Sequence, residues 1–172
     1  MRVLRHCTNI PADLKGCAVA IGNFDGVHRG HQAVIGRAAE IARKSNMPLI
    51  AMTFEPHPRN YFTPNTTPFR LTPFRAKVNQ IQALGVDAML VVAFNKPFSQ
   101  ITADEFVDDI LVAGLNAQHV IVGYDFTFGK NRGGDTEFLA AKATKKVFKF
   151  TTVQPVATAD SIIYSSTAIR EH

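Results

Sequence analysis

The chain has 172 residues, enough for one domain with a buried core. Its composition, 46% hydrophobic and 19% charged, excludes the disordered and fibrous classes. A net charge of +5 and a pI near 9.4 favour anionic partners, but the Lys and Arg residues are scattered, which argues against nucleic acid. Cys7 and Cys17 make neither a disulfide framework nor a C-x-x-C pair, no apolar run approaches a membrane span, and no apolar stretch follows Met1-Arg2-Val3-Leu4-Arg5-His6. The expectation is a cytoplasmic protein with reduced thiols, without a secretory signal or membrane partner.

In chain order, residues 17–21 form a short apolar strand followed by the turn formers Gly22, Asn23, Asp25 and Gly26. Residues 31–44 carry Val34, Ile35, Ala38 and Ile41 at helical spacing. A second apolar run falls within 48–54, and residues 55–72, rich in Pro, Thr and Asn, read as a long irregular excursion. Residues 73–84 predict a helix closed by Gly85, and 87–94 a third strand. Residues 103–113 predict a helix with Thr102 as N-cap and Gly114 as its stop. Residues 119–122 form a fourth strand, 123–134 a glycine-rich aromatic excursion, 135–142 a helix and 147–153 a fifth strand. The alternation predicts one α/β domain over 1–172: a Rossmann-like, doubly wound parallel sheet of about five strands with helices on both faces.

In such sheets ligands bind beyond the carboxyl ends of the strands. The loop after the first predicted strand, Gly22-Asn23-Phe24-Asp25-Gly26-Val27-His28-Arg29-Gly30-His31, leads into a helix. A helix beginning near residue 28 sets His28 and His31 on one face beside free N–H groups that attract phosphate. Imidazoles there can donate to phosphoryl oxygens as charge builds on them, and Gly30 leaves room for a nucleotide on the helix. The plainer alternative is a pair of surface histidines. A zinc pair is weaker, because helical zinc pairs are usually His-x-x-x-His and no third ligand is near. The segment from Gly123 to Gly129-Lys130 departs from a P-loop in spacing, and Asn131 stands where Ser or Thr would hold Mg²⁺. Ser165-Ser166-Thr167-Ala168-Ile169-Arg170 offers three hydroxyls and a guanidinium at a predicted helix start, a set that could clamp a polyphosphate or simply cap a helix.

His28-Arg29-Gly30-His31 resembles the HxGH motif of the nucleotidylyltransferase superfamily, and Ser165 to Arg170 resembles its second signature. A narrower resemblance is to the FMN adenylyltransferase (FAD synthetase) module of bacterial bifunctional riboflavin kinase/FAD synthetases. It is carried by Gly22-Asn23-Phe24-Asp25-Gly26-Val27-His28, Thr53-Phe54-Glu55-Pro56-His57-Pro58, Leu84-Gly85-Val86-Asp87, Gly123-Tyr124-Asp125-Phe126-Thr127-Phe128-Gly129 and Arg132-Gly133-Gly134-Asp135. Of the family's Glu-Lys pair only Lys77 is present, and Tyr164 replaces a small aliphatic. The family continues into a riboflavin kinase domain; the expectation is that residues 1–172 lack it, either as a piece of a longer chain or as a single-function member.

The resemblance implies transfer of AMP from ATP to FMN, giving FAD and pyrophosphate, with Mg²⁺. It implies catalytic roles for His28, His31, Ser165, Thr167 and Arg170, and ATP binding by Gly22, Asn23, Phe24, Gly30 and Ser166. FMN binding falls to Phe54, Pro56, His57, Pro58, Phe62, Asp125, Phe126 and Phe128. Aromatic rings suit a flat isoalloxazine, although Phe54, Phe126 and Phe128 could equally pack the core at strand ends. No carboxylate cluster marks a metal site; Asp87, Asp104, Glu105, Asp108 and Asp109 read as caps and solvated helix faces. Two other readings stand beside this one: a nucleotidylyltransferase acting on NMN, phosphopantetheine or an alcohol phosphate, and a non-catalytic flavin- or nucleotide-binding module.

Overall fold

The structure, a computed structural model, describes residues 1–25, 29–62, 73–146 and 148–155. Six strands form one sheet in the order β1-β4-β3-β2-β5-β6. They are β1 (Arg2–Leu4), β2 (Ala18–Ile21), β3 (Leu49–Glu55), β4 (Ala88–Ala93), β5 (His119–Gly123) and β6 (Lys149–Val153), and every neighbouring pair is parallel. The central strands β2, β3 and β5 are almost wholly buried. A parallel strand covered on both faces can afford no polar alternation, which is why these segments read as unbroken apolar runs. β1 was not expected: it is three residues long, mostly exposed, and exists through its pairing with β4.

The helices lie on both faces, as expected. On one face α1 (Arg29–Ser45) buries Val34, Ile35, Ala38, Ala39, Ile41 and Ala42. Arg43 and Lys44 in its last turn complement the helix dipole, and the chain leaves through Asn46 at φ = 54°. After the short α2 (Pro58–Phe62), α3 (Phe74–Gln82) shares this face through Ile81, packed with Val86 and Met89. Gly85 ends the turn that follows, as the sequence indicated.

The opposite face carries α4 (Lys96–Ser99), α5 (Ala103–Glu105), a π-helical run from Phe106 to Gly114, and α6 (Thr136–Lys146). Thr102 and Glu105 form a reciprocal capping box at the start of α5. Asp135 accepts from the N–H of Phe138 at 2.8 Å and starts α6, which runs past residue 142 to Lys146.

The helical run ends at Gly114, where a stop was expected, and the left-handed residue that follows is Asn116, at φ = 48°. Gly114 is small for another reason, since a Cβ there would sit 2.9 Å from the Cys7 carbonyl oxygen. The excursion after β3 is not wholly irregular, because Pro58 opens α2; proline suits a first helical turn, where its missing N–H has no partner to lose.

Candidate active site

The strand order reverses at β2. The chain steps from β2 to β3 and β4 on one side and then returns to lay β5 and β6 on the other. The loops leaving β2 and β5 therefore diverge around a crevice at the carboxyl edge of the sheet, the place where open α/β folds bind ligands.

On the α1 side, β2 runs straight into the loop: the Gly22 N–H donates to the Met52 carbonyl at 3.1 Å. The Thr53 hydroxyl donates to the Asn23 carbonyl at 2.8 Å, fastening this loop to the end of β3. Phe24 then takes a left-handed conformation, φ = 50°, rare for an aromatic residue, and is only 1% exposed. Its ring meets the His31 imidazole edge to face, with centroids 5.4 Å apart and planes at 88°. Gly22 makes this possible, since a Cβ at that position would press on the Phe24 ring from 3.0 Å. The sharp turn thus belongs to Phe24, and Gly22 supplies clearance.

His31 and Gly30 lie in the first turn of α1, partly accessible beside the helix N-terminus. Asn23 Oδ1 is shielded from solvent and has no hydrogen-bond partner among the described residues, and Asp25, two residues further on, is buried. Of the expected catalytic and ATP-binding residues, His28, Ser165, Ser166, Thr167 and Arg170 lie outside the described residues.

The expected flavin residues form the second group, on the other face of the sheet. Phe54, Phe62, Phe126 and Phe128 belong to one chain of ring contacts. Phe62 meets Phe94 at 5.7 Å, Phe94 meets Phe98 at 5.3 Å, and Phe54 meets Phe98 at 5.7 Å. Phe98 then meets Phe106 at 6.3 Å, Phe106 meets Phe128 at 5.0 Å, and Phe126 stacks on Phe128 at 5.5 Å and 16°. Phe54 (6% exposed) and Phe128 (7%) are core residues, whereas Phe62 is 64% exposed and Phe126 half-buried. The buried pair supports the accessible pair. Asp125 and Pro56 are exposed, and His57 and Pro58 are half-buried where β3 passes into α2 across a cis Glu55–Pro56 peptide. The Tyr61 N–H donates to the His57 carbonyl at 3.2 Å.

Sequence reading missed several residues here. Phe94, Phe98 and Tyr61 complete the ring chain, but their spacing carries no signal because they come from different elements. Lys77 is buried in α3 and pairs with Glu55 at 3.3 Å. The carboxylates of Asp104, solvated as expected, and Asp108 also hold Lys142 of α6 and raise its pKa, chiefly through the hydrogen bond that the Lys142 ammonium donates to Asp104. Asp87 accepts from the Leu49 N–H at 2.8 Å and so joins the starts of β3 and β4.

Residues 10–168 match the family model for FAD synthetase. The chain belongs to the FAD synthetase family. A bifunctional riboflavin kinase/FMN adenylyltransferase from Pseudomonas fluorescens is 43% identical over 170 residues, 99% of this chain and 54% of that protein. The protein of the same name from Escherichia coli strain K12 is 39% identical over 172 residues, 99% of this chain and 55% of its own length. The chain thus spans about half the length of these curated relatives. A crystal structure described as a macrolide-efflux protein from Streptococcus pneumoniae superposes with a TM-score of 0.83 at 26% identity, covering 99% of this chain and 55% of that one. Among the described residues no helix is long and apolar enough to cross a membrane.

Proposed function

We propose that this chain is an FMN adenylyltransferase, joining the AMP part of ATP to FMN and releasing pyrophosphate. The observation that carries the reading is the occurrence, in an FAD synthetase-family sheet, of a helix N-terminus bearing His31 together with two accessible aromatic rings, Phe62 and Phe126, that a chain of ring contacts roots in the core. The first suits phosphate and the second a flat ring system.

In this proposal a phosphate oxygen of FMN attacks the α-phosphorus of ATP in line. The new P–O bond forms as the bond to the β-phosphate oxygen breaks, and pyrophosphate leaves with that electron pair. Such chemistry needs positioning and charge neutralisation more than covalent help. His28 and His31 would donate to the phosphate oxygens as charge rises. Ser165, Ser166, Thr167 and Arg170 would hold the leaving pyrophosphate, the guanidinium by a two-pronged contact. Gly22, Asn23, Phe24 and Gly30 would shape the nucleotide side, with Phe24 acting through His31. Pro56, His57, Pro58 and Asp125 would border the flavin.

Mg²⁺ enters as the companion of the ATP phosphates. Among the described residues no three His, Cys, Asp or Glu are grouped to hold a metal, so none is assigned to it. The proposal takes 1–172 as a single adenylyltransferase domain and places the reaction in the cytoplasm.

Incubation with ATP, Mg²⁺ and a panel of FMN, NMN, phosphopantetheine and alcohol phosphates, with products separated by chromatography, tests the reading. FAD formed from FMN is expected; turnover of NMN but not FMN overturns it. His31→Ala is expected to lower the rate by about 10²–10³ with an unchanged melting temperature. Near wild-type turnover would remove His31 from the chemistry.

A further inference from the structure

Lys77 is the anomaly of α3. Its neighbours Arg75, Asn79, Gln80 and Gln82 are exposed, yet Lys77 is only 3% exposed. Its ammonium lies 3.3 Å from Glu55 Oε1, with side-chain exposures of 4% and 13%. Both ends of this pair are anchored through the backbone. The Glu55 carbonyl accepts from the Phe94 N–H at 2.9 Å, and the Lys77 N–H donates to the Pro73 carbonyl at 3.0 Å in the first turn of α3. Glu55 is the last residue of β3, immediately before Pro56-His57-Pro58, and Lys77 lies in α3. The ion pair therefore ties the end of β3 directly to α3.

A buried ion pair is a poor way to gain stability, because desolvating both charges consumes most of their attraction. An apolar pair of similar volume would hold α3 on β3 as well. What the ion pair supplies is direction: one short contact fixes the end of β3 relative to α3, whereas apolar surfaces can slide. We propose that Lys77 and Glu55 are positioning residues for the flavin acceptor. They set the angle at which β3 delivers Pro56, His57 and Pro58, and so control affinity for FMN without touching ATP. This inference rests on the FMN reading given above.

The test uses the 172-residue chain and three variants: Glu55→Gln/Lys77→Met, which removes both charges at similar volume, Lys77→Arg, and Glu55→Asp, which keeps both charges but shortens one arm. FMN affinity is read by quenching of flavin fluorescence without ATP, the KM for each substrate by FAD formation, and folding by thermal melting. Releasing one residue from its single backbone conformation corresponds to about a tenfold loss of affinity. The double variant is expected to melt near wild type, bind FMN about tenfold more weakly and keep its KM for ATP. Lys77→Arg is expected to retain most of the FMN affinity, and Glu55→Asp to lose part of it. Should the double variant fail to fold, Glu55→Asp decides by the same split between FMN and ATP. A folded double variant with wild-type FMN affinity, or equal losses for FMN and ATP, overturns the positioning role while leaving the enzyme assignment intact. A wild-type chain that does not quench FMN overturns the flavin reading and this inference with it.

Discussion

Replacing Gly22 with alanine tests the packing logic of the α1 loop with a single methyl group. That Cβ would lie 3.0, 3.2 and 3.3 Å from Cε1, Cζ and Cδ1 of Phe24, so the ring must yield by a few tenths of an ångström. The ring has little freedom, being 1% exposed on a backbone already at φ = 50°. Overpacking of this kind costs about 1–3 kcal/mol, or a fall of roughly 2–12 °C in Tm for a chain of this size. The displaced ring pushes on His31. A misplacement near 1 Å costs about 10² in rate, so a shift of a few tenths should lower kcat about three- to tenfold. The matched control is Gly36→Ala in the middle of α1, where a Cβ meets nothing within 4 Å among the described residues. There the same substitution should stabilise by about 0.5–1 kcal/mol, because alanine loses less backbone entropy in a helix. Thermal melting and FAD formation, measured on both variants, give opposite signs for Tm if the reasoning holds. A Gly22→Ala protein with unchanged Tm and kcat refutes it. So does one in which only the KM for ATP moves, since the clearance would then serve the nucleotide and not Phe24.

Thr102→Ala removes the capping box of α5 and should cost about 1 kcal/mol, a fall of roughly 2–4 °C in Tm with kcat unchanged. Burial, with Lys149 and Arg37 nearby, lowers the pKa of His119 below its ordinary 6.5, and its Nε2 lies 2.7 Å from the Thr151 hydroxyl. Because the unfolded chain then binds the proton more tightly, stability is complete above pH 6.5 and declines as pH falls from there towards the folded pKa. Thermal midpoints between pH 7.5 and 5.5, on the order of one unit either side of that value, should fall more steeply for wild type than for His119→Gln; parallel slopes would dismiss His119 as the source. Burial pushes the Cys17 thiol up to about 12 and raises that of Cys7, so thiol reagents at neutral pH should leave Cys17 unmodified until the protein is denatured. Mass spectrometry after brief labelling checks this.

Much of the architecture was legible because central parallel strands must be apolar on both faces. The runs containing Val19, Ile50, Leu90 and Val120 announce themselves without reference to their neighbours. The start of α5 was legible for a local reason too, since Thr102 and Glu105 form a cap within four residues. β1 was not legible, because three residues of mixed polarity become a strand only when β4 offers its edge. The reason for the small size of Gly114 was not legible either, since it answers the Cys7 carbonyl, more than a hundred residues earlier in sequence.

At the candidate site the division is the same. The order of residues by itself marked the α1 loop and both excursions, because motifs are contiguous and turn chemistry, helix N-termini and composition are local properties. It could not sort the four expected flavin phenylalanines into buried Phe54 and Phe128 and accessible Phe62 and Phe126, since burial depends on which elements pack above each ring. Nor could it show that Phe24 turns the chain and braces His31, or that Lys77 finds its partner in Glu55. Those facts arise from contacts between separate strands and helices. Only the assembled sheet, with its order reversing at β2, brings them to one edge.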